Sequence, residues 1–236
     1  MSAETTGEKN LYGLRHIAFI MDGNRRWAAR HGLPKEQGHR AGAKAFHRVV
    51  KYCRDIGIRY VTVYALSTEN LKNRPAHELD AIMRLLDDYL SECIKETKDQ
   101  KVSFRFLGNI EVFDDKLKEK IRQVAKRTSG NEYVLNIALN YGGRAELVRA
   151  FNILFAAGKS EITEEDISGA LYTAGCPDPD LIIRTAGECR ISNFLLWQAS
   201  YSEFYFTDVL WPDFGPREVD MAIEEFGRRQ RRYGGS

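Results

Sequence analysis

Short runs rich in β-branched and aromatic residues alternate with longer segments of helical period along the chain, and this alternation limits the fold more than any single motif. The runs 16–21, 60–66, 102–107, 133–140, 180–185 and 203–207 predict strands. Helical spacing covers 38–55, 76–97, 114–127, 144–157 and 163–172, and a last helix is expected over 216–231, ending in a basic tail. Such an order predicts an α/β single domain over 1–236, with a mostly parallel central sheet flanked by helices and residues 1–14 as a peripheral tail. Functional residues are then expected at the carboxyl ends of the strands. Two stretches read as mobile loops: 67–77, polar and Pro-containing, and 174–179, rich in Gly and Pro.

With 35 Lys and Arg against 33 acidic residues, the net charge of +2 gives no global attraction for nucleic acid. Any anion preference must come from local arginine clusters. The four cysteines, Cys53, Cys93, Cys176 and Cys189, lack the C-x-x-C spacing of a zinc or redox site, which fits a reduced, cytoplasmic setting. The first ten residues carry no apolar core of a signal peptide, and no stretch of eighteen apolar residues occurs, so no membrane span is expected.

Three places collect anion-binding chemistry. The apolar run 17–21 leads into Asp22, Gly23, Asn24, Arg25, Arg26 and Trp27, which set a carboxylate, a flexible glycine and two guanidinium groups at a strand end. This turn either holds a diphosphate with a hard Mg²⁺ on Asp22, or is a helix cap with surface arginines. Gly38-His39-Arg40 opens the next expected helix and adds a second helix amino terminus, while Ser67, Thr68, Glu69 and Asn70 follow the second strand. Most informative is the stretch 178–194, in which Arg184 ends a strand and Arg190 and Ser192 follow in one loop. Two guanidinium forks and a hydroxyl there form a second diphosphate clamp.

The segments HIAFIMDGNRRWA, GHRAG, LSTEN, LNIALNYGGR, DPDLIIRTAGECRISNFLLWQ and YSEFYFTDVLWPDF resemble, in order and spacing, the motif blocks of the cis-prenyltransferases, the undecaprenyl diphosphate synthase family. The resemblance runs from about His16 to the C-terminal Arg-Arg-Tyr-Gly-Gly. It implies a Mg²⁺-dependent enzyme that condenses isopentenyl diphosphate with an allylic diphosphate, works as a homodimer, and touches the inner membrane surface through its lipid product. By resemblance, Asp22 is the catalytic magnesium-binding carboxylate, and Gly23, Asn24, Arg25, Arg26 and His39 hold the allylic diphosphate beside Trp27. Arg184, Arg190 and Ser192 hold isopentenyl diphosphate, and Glu203 matches a second acidic residue near the metal at the dimer interface. Ser67, Thr68, Glu69, Asn70 and Leu71 belong to the loop that positions isopentenyl diphosphate, with Asn70 at a catalytic position; Arg232-Tyr233-Gly234 resembles an Arg-x-Gly element reaching diphosphate across subunits.

Several positions depart from the family pattern. Lys35 stands where many relatives carry a phosphate-binding arginine, keeping the charge without the fork. Cys189 takes the place of a histidine found near the metal in some bacterial members. Leu66 and Leu71 replace aromatic residues, and one extra residue before Pro75 leaves either Asn73 or Arg74 in the loop-arginine role, residue type favouring Arg74. The proton acceptor stays open among a diphosphate oxygen, a water relay and Asp22, because the amide of Asn70 is a poor base.

Leu79, Ile82, Met83, Leu86 and Leu90 share one helix face near Ile137 and Leu139, as either core or lining for an apolar chain. Small Ala65 favours a long-chain carrier-lipid product, whereas Tyr133 and Leu71 resemble short- or medium-chain members. Neither Asp87-Asp88 nor Asp114-Asp115 forms the Asp-Asp-x-x-Asp motif of the all-helical trans-prenyltransferases, and both nucleotide-binding glycine motifs are missing. A non-catalytic partner subunit is the remaining alternative, and Asp22, Arg26, Arg184, Arg190 and Glu203 together speak against it.

Overall fold

Six strands form one parallel sheet: β1 (His16–Ile20), β2 (Tyr60–Ser67), β3 (Val102–Leu107), β4 (Tyr133–Tyr141), β5 (Leu181–Arg184) and β6 (Glu203–Phe206), in the order β3-β4-β2-β1-β5-β6. The computed structural model describes residues 11–96 and 101–229; the Arg-x-Gly element and most of the basic tail lie outside them. Because the strands are buried on both faces, β1 and β5 read as uninterrupted runs without exposed positions.

Side-chain alternation divides the core. Ile17, Phe19, Val61, Val63, Leu135, Ile137, Leu181 and Ile183 point to one face, covered by α2 (Lys35–Asp55), α4 (Ala76–Glu96), α5 (Asp115–Thr128) and α8 (Pro216–Arg228). Ala18, Ile20, Ala138 and Ile182 point to the other, beside the segment around Phe194 and Leu195; α6 (Gly143–Ala156) and α7 (Glu164–Ala170) pack together there.

The chain leaves β1 for β2 on one side, whereas β5 and β6 add on the other. Strand order therefore reverses at β1, and the loops after β1 and β5 diverge to leave a crevice at their carboxyl ends.

Three expectations are corrected. The helix α2 begins at Lys35, directly after Pro34, so Gly38 and His39 lie inside it and add no second amino terminus. The reason is close packing: a Cβ on Gly38 would stand 2.1 Å from the Asn24 carbonyl oxygen of α1 (Asn24–Arg30), and one on Gly42 2.3 Å from Asn24 Oδ1. Residues 67–77 are not one open loop, since Thr68–Asn73 form a short helix, α3, whose amino end Ser67 caps by accepting from Asn70 N at 3.0 Å. The segment 174–179 is pinned, with Arg105 donating to the carbonyls of Tyr172 and Ala174 and His16 Nδ1 donating to Pro177 O.

Candidate active site

A cavity of about 890 Å³ opens at the crevice beside β1 and β5 and runs between α2 and α4. Its head is polar and charged, lined by Asp22, Asn24, Arg25, His39, Arg74, Arg184, Arg190 and Ser192. Its body is mainly apolar: Val63, Ala65, Ile137 and Leu139 make the floor, and Ala43, Phe46, Ile82, Leu85, Leu86 and Tyr89 make the walls, with His47 and Asp88 among them. Of the helix face expected to line it, only Ile82 and Leu86 do so; Leu79 and Met83 pack against the core and Leu90 is buried in it. Leu85 and Tyr89 were not singled out from spacing, although they lie one position from that face.

The turn after β1 is built around Asp22. Gly23 adopts φ 108°, and a Cβ there would meet Ala186 and Leu210 at 3.0 Å, so glycine alone fits without strain. Thr185 Oγ1 accepts from Asp22 N and donates to Asp22 O at 2.7 Å, locking the turn to the end of β5. The carboxylate accepts from Gly23 N at 2.7 Å, and Arg184 Nη2 lies 3.1 Å from its other oxygen. Arg26 stands 3.6 Å from the same carboxylate and donates to Ala186 O at 2.7 Å.

The loop after β5 completes the head. Buried Arg184 donates through Nη1 to Arg190 O and to Ser192 Oγ at 2.7 Å, while its buried Nε has no partner among the described residues. Ala186, Ser192, Asn193 and Leu195 all have positive φ, a conformation that costs an L-residue about 1–2 kcal/mol each. Two of them, Ser192 and Asn193, line the cavity, so part of this strain sits at its mouth. Asn193 Nδ2 donates to Glu69 Oε1 at 3.0 Å, tying this loop to α3.

The other expected site residues fall in different places. Ser67, Glu69 and Asn70 line the cavity, whereas Thr68 donates to Glu69 and Leu71 packs on the core. Trp27 stacks on His31 at 4.1 Å and donates to Asp213 Oδ1 at 2.7 Å, outside the cavity lining. Lys35 is exposed at the start of α2. Glu203 opens β6 at the level of Leu181, at the far end of β5 from Arg184, and pairs with Arg229 at 3.0 Å. Within one chain it is not brought to Asp22.

Two acids at the head were not read from the sequence. Glu188 pairs with both Arg26 and Arg190. Fully buried Glu78 gathers His39, Arg74 and Arg25. Burial opposes charge on Glu78, yet the His39 hydrogen bond and the Arg74 and Arg25 charges outweigh it and hold its pKa below the ordinary value. Burial pushes the His39 pKa down despite the Glu78 contact. The i,i+4 spacing of Arg74 and Glu78 on a helix start was the available signal for this acid.

Among the described residues, no group of three His, Cys, Asp or Glu gathers as a metal site. One half-exposed carboxylate facing an arginine-rich cavity nevertheless fits Mg²⁺, which is commonly held by one or two carboxylates plus substrate phosphate oxygens and water.

An arginine-rich head above a long apolar body, at the switch point of a parallel sheet, has the chemistry to take a molecule with a phosphate-type head and a hydrocarbon tail. The family model described as "Putative undecaprenyl diphosphate synthase" matches residues 20–234, and the chain belongs to that family, a family of prenyltransferases. It is 49% identical to the isoprenyl transferase of Fusobacterium nucleatum, over 97% of this chain and 98% of that one. It is 48% identical to that of Heliobacterium mobile, over 94% and 87%. Among solved structures it is similar to lavandulyl diphosphate synthase from Lavandula x intermedia in complex with dimethylallyl diphosphate, with TM-score 0.90, 33% identity and 95% and 99% of the two chains covered. A probable undecaprenyl diphosphate synthase from Campylobacter jejuni matches with TM-score 0.79 and 34% identity, over 94% and 99%.

Proposed function

We propose that this chain is a Mg²⁺-dependent cis-prenyltransferase, condensing isopentenyl diphosphate with an allylic diphosphate such as farnesyl diphosphate into a Z-polyprenyl diphosphate. The observation that carries this reading is the meeting of Asp22 and Arg184 at the head of an apolar cavity.

The new carbon–carbon bond forms between the alkene of isopentenyl diphosphate and the allylic C1; the allylic C–O bond breaks, diphosphate leaves, and a proton is lost from C2. Arg26, His39 and Arg74 bind and orient the leaving diphosphate, and preorganised donors at the point where charge develops lower the barrier most. Arg184, Arg190 and Ser192 align the diphosphate of the attacking unit, so that the two reactants meet as one bound pair. Asp22 would hold the Mg²⁺, which supplies charge neutralisation to the departing diphosphate. Glu203 would contribute only from a second copy. The C2 proton passes to a diphosphate oxygen, to a water relay or to Asp22. The apolar body excludes water from the allylic end.

The proposed product is a long-chain carrier-lipid precursor, supported by the bacterial isoprenyl transferases that resemble the chain and by small Ala65 in the cavity floor. A short- or medium-chain product is the alternative, supported by the likeness to lavandulyl diphosphate synthase. No helix among the described residues is long and apolar enough to cross a membrane, so a cytoplasmic enzyme touching the inner membrane surface through its lipid product is the proposed setting.

The test is incubation of the purified chain with labelled isopentenyl diphosphate, farnesyl diphosphate and Mg²⁺, followed by reversed-phase separation. Chains lengthened by C5 units support the reading and their length decides the class. No product from the chain alone, but product after a second protein is added, selects the partner-subunit alternative.

A further inference from the structure

Behind the cavity head lies a carboxylate that no expected role accounts for. Glu78, in the first turn of α4, is fully buried and does not line the cavity. Its Oε1 accepts from His39 Nε2 and from Arg74 Nη1, each at 3.1 Å, and stands 3.9 Å from Arg25 Nε. These three side chains belong to α2, to the turn before α4 and to α1, and all three line the cavity. The other oxygen, Oε2, is buried without a partner among the described residues. A buried carboxylate is costly unless its charge is matched, and here, among the described residues, the match comes from groups that line the cavity.

We propose that Glu78 is a positioning residue: from behind the wall it aims Arg74, Arg25 and His39 at the diphosphate of the allylic substrate. The inference rests on the prenyl-transfer reading for the identity of that ligand. Arg74 is a long side chain with many rotamers, and Arg25 is half exposed; without an anchor each samples solvent. Anchoring one guanidinium edge leaves the remaining N–H groups for phosphate oxygens. With His39 Nε2–H given to Glu78, Nδ1 is the ring atom left for the cavity, and it donates to a phosphate oxygen when a second proton, favoured by the bound anion, makes the ring cationic.

Charge alone predicts the opposite sign. Removing an anion near a phosphate site should strengthen diphosphate binding, whereas removing an anchor should weaken it, so one substitution separates the two accounts. The measurement is calorimetric titration of the full-length chain with farnesyl diphosphate alone, so that nothing turns over. Glu78→Gln is expected to raise Kd about ten- to a hundred-fold, the scale of one lost charge-assisted hydrogen bond, while kcat falls far less than kcat/KM. Glu78→Asp keeps the charge but draws the carboxylate back by one methylene; it covers the case in which the Gln variant fails to fold, and it is expected to recover part of the affinity. In an Arg74→Ala background, Glu78→Gln should cost under about three-fold, because the side chain it acts through is gone.

Unchanged or tighter binding in both Glu78 variants overturns the proposal, as does a penalty of full size in the Arg74→Ala background. Wild-type protein that neither binds farnesyl diphosphate nor makes product overturns the functional reading instead.

Discussion

Arg184 Nη2 lies 3.1 Å from Asp22 Oδ2, joining two residues 162 positions apart and two anion-binding clusters that sequence alone kept separate. The pair follows from topology. β1 and β5 are parallel neighbours with Ile20 opposite Arg184, so the residue at the end of β5 meets the turn that follows β1.

For Arg190→Ala, the apparent KM for isopentenyl diphosphate should rise about ten- to a hundred-fold, with the allylic KM little moved. Arg190 is 61% exposed and its side chain makes its ion pair with Glu188, not with Asp22. Arg184→Ala should instead weaken both substrates, because its guanidinium stands between the two anion-binding clusters, 3.1 Å from Asp22 in the turn assigned to the allylic diphosphate. Steady-state kinetics with each substrate varied in turn decide this. An allylic KM unaffected by loss of Arg184 would break the link between the two sites.

Asp22→Ala should remove nearly all turnover while leaving folding and allylic diphosphate binding largely intact. The carboxylate faces the cavity, so packing loses little. Retention of more than about a tenth of wild-type kcat, a barrier change under about 1.4 kcal/mol, contradicts its assigned role.

Gly38→Ala should destabilise the protein in spite of helix propensity. Alanine in a helix interior gains about 1 kcal/mol over glycine, but here its Cβ would press on the Asn24 carbonyl at 2.1 Å, and overpacking costs about 1–3 kcal/mol or more. Thermal unfolding should show a lower midpoint. Since Asn24 follows the Asp22 turn, kcat/KM should fall too. A raised midpoint would mean that α1 shifts freely.

Stability should fall as pH drops from about 6.5 toward 4. Burial lowers the His16 pKa to about 4, and its neutral ring donates to Pro177 O and accepts from Thr62 Oγ1. The unfolded chain therefore binds a proton that the folded one refuses. The stability present above the unfolded pKa is lost across this window, on the order of 3 kcal/mol. The slope of unfolding free energy against pH should flatten there in His16→Gln; an unchanged slope assigns the effect elsewhere.

A homodimer is expected. The edge strand β6 stacks Phe204 on Phe206 at 6.0 Å, and Phe206 and Tyr201 are exposed beside it. Sedimentation equilibrium should give twice the chain mass at micromolar concentration. A fully active monomer removes this contact and any role for Glu203 at the metal.

The six strands and the placing of Asp22 and Arg184 at strand ends were determined by the sequence alone, because period and strand-end position are local properties that survive without knowledge of neighbours, and the alternation of strand and helix pointed to a mostly parallel sheet. Tertiary structure decided what lies next to what. Gly38 read as a helix start because glycine breaks periodicity; it is a contact point, and only the position of Asn24 on a neighbouring helix shows this. Ser67–Asn73 read as loop because its residues are polar, and the cap that makes a helix of them depends on where β2 ends. Glu78 was not read from the sequence at all. Its burial, and the convergence of His39, Arg74 and Arg25 upon it, arise only when α1, α2 and α4 pack together, since the interaction of charges is set by distance in space and by exclusion of water, neither of which is written in sequence separation.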